Sequence, residues 1–390
     1  MIKKTLLLEK VNKLLKSFRY ASIYRRLRLP LKDFQDFKRL PLTDKDILRN
    51  VRPNPKAAPF RITATSGTTE SRLLILQPKA CYERHVARVS ETYAACGIRP
   101  GDTCLNLCAY ELNGGGSIME EAFRRLGVTV IPFGIIRTRP QMLEAIAIIK
   151  RFKPSVINSY TNQLYGVLEQ LKNGHSVNKC IVNGEPLFAG YKRNIEKYFG
   201  VRIYNNYGSM EFSGFAMTAG RPKESMKLFD EGLFIEILKD DGETAEQGKG
   251  RIIITDLENL CVPLIRYCLG DRVELKYEKG EGRLTVFGRT NDSILIDGEI
   301  FSKREILESL QEILARPDFF LVIGKNPRSY KDTLVLHLRP SHAAKQKEIF
   351  KRWNVARKAG DLLRIRLSSV AVPKNSTGKF QHIIDARPHD

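Results

Sequence analysis

The stretch Thr103-Cys104-Leu105-Asn106-Leu107, followed by Asn113-Gly114-Gly115-Gly116, Ser117 to Arg125 and Val128-Thr129-Val130-Ile131, reads as strand, glycine turn, helix and strand. Short apolar runs bounded by turn residues are buried strands, and a helical pattern between two of them makes a parallel crossover. The same alternation continues on both sides. Upstream, Arg61-Ile62-Thr63-Ala64 leads into a Ser/Gly/Thr turn, and Leu73-Leu74-Ile75-Leu76 reads as the returning strand. Downstream, Arg139 to Phe152 is helical, and Val156-Ile157-Asn158, Cys180-Ile181-Val182 and Val201-Arg202-Ile203-Tyr204 are strands. The expected fold is an α/β body with mostly parallel sheets. Ligands in such bodies bind at the carboxyl ends of strands, so the turns there are the candidate sites.

Composition shifts after Gly288. Short strands (Asp292 to Ile296, Phe319 to Ile323, Thr333 to Leu338) and two helices (Lys303 to Ile313, Ala343 to Arg357) make a small α+β domain, so the chain divides into residues 1–288 and 289–390. At the other end, residues 1–28 hold nine Lys or Arg and one acid, Glu9. Leu7, Val11, Leu14, Leu15 and Phe18 recur at helical offsets, which predicts an amphipathic helix over about residues 5–28. The favoured reading is a first helix packed on the body with a solvated basic face; the alternative is a membrane-surface or partner-docking helix.

The 390 residues carry 65 Lys and Arg against 43 Asp and Glu, a net charge of +22. An apolar share of 42% with 28% charged residues excludes wholesale disorder. No apolar run is long enough to span a bilayer, and Leu6-Leu7-Leu8 is too short for a signal-peptide core. Seven cysteines without framework spacing indicate reduced thiols and a cytoplasmic protein. Cys104 and Cys108 lack the second pair or histidine that a zinc site needs, and the six histidines show no triad-like grouping. The charge itself is compatible with nucleic acid, an anionic membrane, an acidic protein or a polyanionic small substrate.

Turns carry the chemistry. Thr65-Ser66-Gly67-Thr68-Thr69 brings hydroxyls and backbone N–H groups around a glycine, a pattern that cradles phosphate, although it lacks the Gly-Lys-Ser/Thr ending of a Walker loop. Further candidates are Asn183-Gly184-Glu185-Pro186, Asn205-Asn206-Tyr207-Gly208-Ser209-Met210-Glu211, Leu264 to Asp271, Gly288-Arg289-Thr290-Asn291 and Ser376-Thr377-Gly378-Lys379. In this order and spacing the segments resemble the adenylate-forming superfamily of acyl-CoA synthetases, adenylation domains and luciferases. Leu40-Pro41-Leu42-Thr43-Asp44-Lys45, the run 113–116, Arg125 to Pro132 and the Asn183 turn look like its phenylacetate–CoA ligase branch.

That resemblance implies an enzyme joining a carboxylate to the α-phosphate of ATP, expelling pyrophosphate and passing the acyl group to a thiol or amine. It implies that Ser66, Gly67, Thr68 and Thr69 wrap the β- and γ-phosphates, Thr68 taking part in the chemistry, and that Glu211 holds Mg²⁺. Tyr207 stacks on adenine, with Asn206 and Gly208 in the same nucleotide-binding segment and Gly184, Glu185 and Pro186 on the other side. Asp271 accepts from the ribose hydroxyls, and Arg289 reaches ribose or phosphate. Tyr110, Asn113, Gly114 and Gly115 line the acid pocket. Lys379 is the adenylation lysine on a mobile C-terminal domain that pivots at Asn291. Co-substrates are ATP, a small aryl or arylalkyl carboxylic acid, and CoA or the phosphopantetheine of an acyl carrier protein; an amine acceptor would make an amide instead.

One departure stands out. The family loop continues with a glycine where this chain has Glu70, a negative charge beside the phosphate turn, with Arg72 available to offset it. A degenerate fold that binds nucleic acid or membrane is the competing class. Nucleic acid is disfavoured, because no motif interleaves aromatics with Lys and Arg. Peripheral membrane contact would run through the basic N-terminal helix.

Overall fold

A computed structural model of the chain describes residues 3–18, 21–65, 72–112, 114–171, 174–185, 187, 189–218, 225–289, 293–296, 299–314, 319–325, 332–353, 355, 363–369, 372–373 and 382–387. In chain order the first elements are α1 (Lys4–Ser17), α2 (Phe34–Lys38), α3 (Lys45–Arg49), β1 (Arg61–Ala64), β2 (Leu74–Gln77), α4 (Lys79–Ala95), β3 (Thr103–Asn106), α5 (Gly116–Arg125), β4 (Thr129–Pro132), α6 (Arg139–Phe152), β5 (Val156–Ser159), α7 (Thr161–Leu171), β6 (Lys179–Asn183) and α8 (Ala189–Phe199). Then come β7 (Arg202–Ser209), β8 (Ser213–Met217), β9 (Met226–Leu228), β10 (Leu233–Leu238), β11 (Thr244–Ala245), β12 (Gly248–Asp256), β13 (Tyr267–Glu278) and β14 (Glu281–Arg289). The last are β15 (Ser293–Ile296), β16 (Glu299–Ser302), α9 (Lys303–Leu314), β17 (Phe319–Lys325), β18 (Asp332–Leu338), a 3₁₀ turn at Pro340–Lys345, α10 (Gln346–Arg352), β19 (Leu363–Leu367) and β20 (Ile383–Asp385).

The chain forms two compact units. One comprises Met1–Tyr160, Gly174–Gly184 and Ile203–Arg289; the other comprises Thr161–Asn173, Glu185–Arg202 and Thr290–Asp390.

The first unit is built on a 12-stranded sheet ordered β11-β10-β12-β13-β14-β9-β8-β7-β6-β5-β3-β4. Its class is α/β, as expected. Strand direction follows the expectation in one half only. β3 pairs in parallel with β4 and β5, and β5 with β6, whereas β7 to β14 pair antiparallel. The cause is connection length. A parallel pair needs a crossover of a dozen or more residues, and turns such as 210–212 and 279–280 permit only hairpins.

Local signals set the crossover helices. Thr138 caps α6 by accepting from the Gln141 N–H, Gln141 reaches back to the Thr138 N–H, and Pro140 lies in the first turn. All four residues of β5 are buried, as a central parallel strand requires.

The N-terminal helix ends at Ser17 rather than near residue 28. Phe18 caps it, and Phe18, Ala21 and Tyr24 enter one core with Leu7, Val11, Leu14, Leu15, Phe37, Phe234 and Ile265. A straight continuation would carry Tyr24 past that core at about 1.5 Å per residue. The apolar stripe of α1 is therefore buried in the body of the protein.

The second unit has its own core, in which Ile306, Leu310, Phe319, Leu321, Leu336 and Trp353 are fully buried. β17 pairs antiparallel with β18 and parallel with β20, and β18 pairs parallel with β19. Strands β16, β19 and β20 add to the three strands expected there. The second helix spans only Gln346–Arg352: Pro340–Lys345 before it is a 3₁₀ turn, and Trp353 leaves the helix with an extended backbone. No helix among the described residues is long and apolar enough to cross a membrane.

Candidate active site

Two hairpins on either side of β9 supply the site. In the first, the Asn205 to Glu211 segment is not a turn after a strand; it runs along β7 to Ser209, and Glu211 sits in the short β7–β8 turn. Gly208 lies opposite Gly214 next to a register shift at Tyr207. A Cβ on Gly208 would come within 2.0 Å of the Ser213 carbonyl oxygen, so only glycine lets these strands close. In the second hairpin Gly270-Asp271 is mid-strand, not a turn, and Asp271 pairs directly with Arg289 across β13 and β14. A second register shift follows at Arg272. Bulges of this kind re-aim side chains beside functional sites.

The side chains converge. The Tyr207 hydroxyl donates to Asp271 Oδ2 at 2.7 Å, and Arg289 Nε lies 3.2 Å from Asp271 Oδ1. Burial, and then the adjacent Asp271 carboxylate, raise the Tyr207 pKa well above its ordinary value, so this phenol stays a donor. The Tyr267 hydroxyl donates to Glu211 Oε1 at 2.9 Å, and burial followed by Glu211 raises its pKa too. Glu211 is only 5% exposed, and among the described residues no Lys or Arg pairs with it. A buried carboxylate with one phenol donor still calls for a cation, which fits a magnesium ligand that keeps waters around the ion.

The strap Leu40 to Lys45 fastens the start of β13. The Thr43 N–H donates to Arg266 O at 3.0 Å, the Cys268 N–H to Thr43 O at 2.7 Å, and Thr43 Oγ1 to Ile265 O at 2.9 Å. Asp44 caps α3 through the Ile47 N–H.

At the carboxyl ends of the parallel strands lies a chain of amides. Asn206 Nδ2 donates to Asn183 Oδ1 at 2.8 Å, Asn183 Nδ2 to Asn158 Oδ1 at 2.8 Å, and Asn158 Nδ2 to Asn106 Oδ1 at 2.9 Å. Asn106 Nδ2 then donates to the Tyr110 hydroxyl at 2.8 Å. The ladder joins Asn206 to Tyr110. Gly114 packs so closely on Ala109 that a Cβ would meet its carbonyl oxygen at 2.0 Å, and Arg61 Nη2 donates to Gly114 O at 3.0 Å. Gly115 is the cap residue of α5, and Gly184 turns the chain at φ +66°.

No protein-family model matches the chain. Phenylacetate–coenzyme A ligase of Thermus thermophilus is 25% identical over 403 residues, covering 90% of this chain and 88% of that one. Along nine-tenths of its length the chain is similar to curated phenylacetate–coenzyme A ligases. Among solved structures, 2-hydroxyisobutyryl-CoA ligase in the postadenylation state superposes with a TM-score of 0.79, at 21% identity and over 98% of this chain and 89% of that one, which shows the shared fold. Indoleacetate–lysine synthetase of Pseudomonas savastanoi is 27% identical over 302 residues, covering 73% of this chain and 72% of that one.

The structure thus brings Tyr207, Glu211, Asp271 and Arg289 together, with Asn206 and Tyr110 at the two ends of the ladder. Ser66, Gly67, Thr68, Thr69, Glu70, Asn113, Pro186, Asn291 and Lys379 lie outside the described residues, and Glu185 belongs to the second unit. Sequence reasoning missed Tyr267 and the asparagine ladder. The ladder had a visible signal: Asn106, Asn158 and Asn183 stand at or beside the end of successive buried strands.

Proposed function

We propose that the chain is an ATP- and Mg²⁺-dependent ligase that turns an aryl or arylalkyl carboxylic acid into an acyl-adenylate and then into a CoA thioester. The observation that carries this reading is the Tyr207–Asp271–Arg289 cluster beside the buried Glu211, in a chain alignable along nine-tenths of its length with a phenylacetate–CoA ligase. A carboxylate oxygen attacks the α-phosphorus of ATP, the bond to the bridging oxygen breaks, and pyrophosphate leaves. The acceptor sulfur then attacks the acyl carbon, its proton passes to solvent, and AMP leaves. Both reactants of the first step are anions, so alignment and charge screening dominate the barrier.

Asp271, held by a phenol and a guanidinium, offers its oxygens to the ribose hydroxyls. Tyr207 lines the adenine, and Arg289 is free to swing to phosphate because its side chain is 65% exposed. Glu211 would hold Mg²⁺, which supplies charge neutralisation on the phosphates. The Ser66 to Thr69 loop and Lys379 enter by their match to the family motifs, as phosphate cradle and as the cation at the developing charge. CoA is the first acceptor to offer and an acyl carrier protein the second. The likeness to indoleacetate–lysine synthetase makes an amine the third.

The test is pyrophosphate exchange into ATP with a panel of aryl, arylalkyl and aliphatic acids, followed by CoA, carrier protein and amino acids as acceptors. Exchange dependent on an aryl or arylalkyl acid, with AMP release on adding CoA, is the expected outcome. No exchange with any acid, together with salt-sensitive binding to nucleic acid or anionic vesicles, would replace this reading with the degenerate-fold one.

A further inference from the structure

A second constellation uses none of the residues assigned to ATP. Cys81 and His85 stand four apart on α4, hence on one helix face, and Asp256 ends β12. They are 0%, 1% and 2% exposed. Cys81 Sγ lies 3.5 Å from His85 Nε2 and 3.5 Å from Asp256 Oδ2, and His85 Nε2 lies 3.4 Å from Asp256 Oδ2.

Hydrogen bonding accounts for the sulfur contacts but poorly for the third. A nitrogen donor on a carboxylate usually sits at about 2.7–3.2 Å, and shorter when charge-assisted. Tetrahedral zinc predicts a different set of separations. Bonds of about 2.3 Å to sulfur, about 2.0–2.1 Å to nitrogen and about 2.1 Å to oxygen place the sulfur about 3.5–3.6 Å from each partner and nitrogen about 3.4 Å from oxygen. The observed triangle matches those three edges.

The surroundings are those of ligands already oriented. Asp256 Oδ1 accepts the N–H groups of Glu258 at 2.8 Å and Asn259 at 3.1 Å, which turns Oδ2 towards the other two atoms. His85 Nδ1 lies 3.0 Å from both Gln77 Nε2 and Ser213 Oγ; with Nε2 as the ligand, Nδ1–H donates to the hydroxyl and the Gln77 amide has to turn its oxygen to the ring. The nearby Arg88 guanidinium is engaged by the carbonyls of Phe212, Gly214 and Glu231.

We infer that Cys81, His85 and Asp256 bind one zinc-class divalent cation, with water at the fourth vertex. Binding replaces the thiol proton, which passes to solvent, so that a thiolate and a carboxylate balance the ion's two charges. The thiolate selects a borderline-soft metal, which separates this site from the all-oxygen coordination expected at Glu211. The ion would tie α4 to β12 and, through Ser213, brace the turn that carries Glu211. This inference does not depend on the proposed ligase activity.

Elemental analysis of the untagged full-length protein after gel filtration tests it. About one zinc per chain is expected, falling below about a tenth of an equivalent in Cys81→Ser and Asp256→Asn. Replacement by cobalt(II) should give the wild-type protein a thiolate-to-cobalt charge-transfer band, a readout that stands even where a variant fails to fold. Zinc below about a tenth of an equivalent in the wild type with no cobalt band, or zinc unaffected by Cys81→Ser in folded protein, overturns the inference.

Discussion

Asp271 accepts from two side chains at once, and each fixes one of its oxygens: Tyr207 on Oδ2 and Arg289 on Oδ1. Replacing it by Asn keeps the shape but removes the charge and turns one acceptor into a donor facing donors. Hydrogen bonds to an ionised group contribute about 1.5–3 kcal/mol. Asp271→Asn should therefore raise the KM for ATP about 10- to 100-fold in pyrophosphate exchange, leaving the KM for the acid nearly unchanged. Equal changes in both constants would remove Asp271 from the nucleotide side.

Elements are pinned at both ends of the parallel sheet, by different chemistry. The asparagine ladder crosses the carboxyl ends. At the amino ends, Asp102 accepts from Ser155 Oγ at 2.8 Å, Lys179 Nζ at 3.0 Å and the Arg99 N–H at 3.1 Å, joining the starts of β3, β5 and β6. Burial pushes the Asp102 carboxyl up, but these partners outweigh it and hold its pKa below the ordinary value. The folded state thus binds fewer protons than the unfolded one. The resulting stability is complete above the unfolded value of about 3.9 and fades as pH falls through the folded value. In urea unfolding, Asp102→Asn should cost about 1–3 kcal/mol at neutral pH, and the gap to wild type should close in acid. A gap that widens on acidification would contradict the assignment.

A second pin holds the strap. Arg266 forks onto Glu236 with two contacts of 3.1 Å and donates to Leu40 O at 2.7 Å and to Lys38 O. Burial raises the Glu236 pKa, and Arg266 counters it. Arg266→Met leaves that acid buried and unpaired, and should cost about 3–5 kcal/mol in denaturant unfolding. Adding Glu236→Leu should restore most of the loss, since the cost lies in the orphaned charge. No restoration would mean that Arg266 matters through its carbonyl contacts alone.

For the whole molecule, the assignment of Lys379 to adenylation predicts a split between half-reactions. Lys379→Ala should abolish pyrophosphate exchange yet leave thioester formation from preformed acyl-adenylate within about tenfold of wild type. Equal loss of both would argue against a lysine that serves one step. On the proposed activity the net charge of +22 has a partial physical account, since ATP, pyrophosphate and CoA are polyanions that a basic surface would steer. The basic helix α1 anchors the fold through its buried face; Lys4, Lys13 and Lys16 form its solvated side, while half-buried Lys10 pairs with Glu258 at 2.6 Å.

Local sequence determined what local physics controls. Apolar runs and glycine turns placed β3, α5, β4, α6 and β5 within a residue or two, because burial period and caps are short-range properties. The order of the motifs singled out Tyr207, Asp271 and Arg289, which the fold brings into contact. Tertiary structure decided the rest. Only the strand order sets Tyr267 on Glu211, 56 residues away, and Cys81 on Asp256, 175 residues away. Only the short hairpin turns reverse the second half of the sheet. Periodicity reports which face of an element is buried; which distant side chain meets it there depends on strand order and packing, which no local pattern encodes.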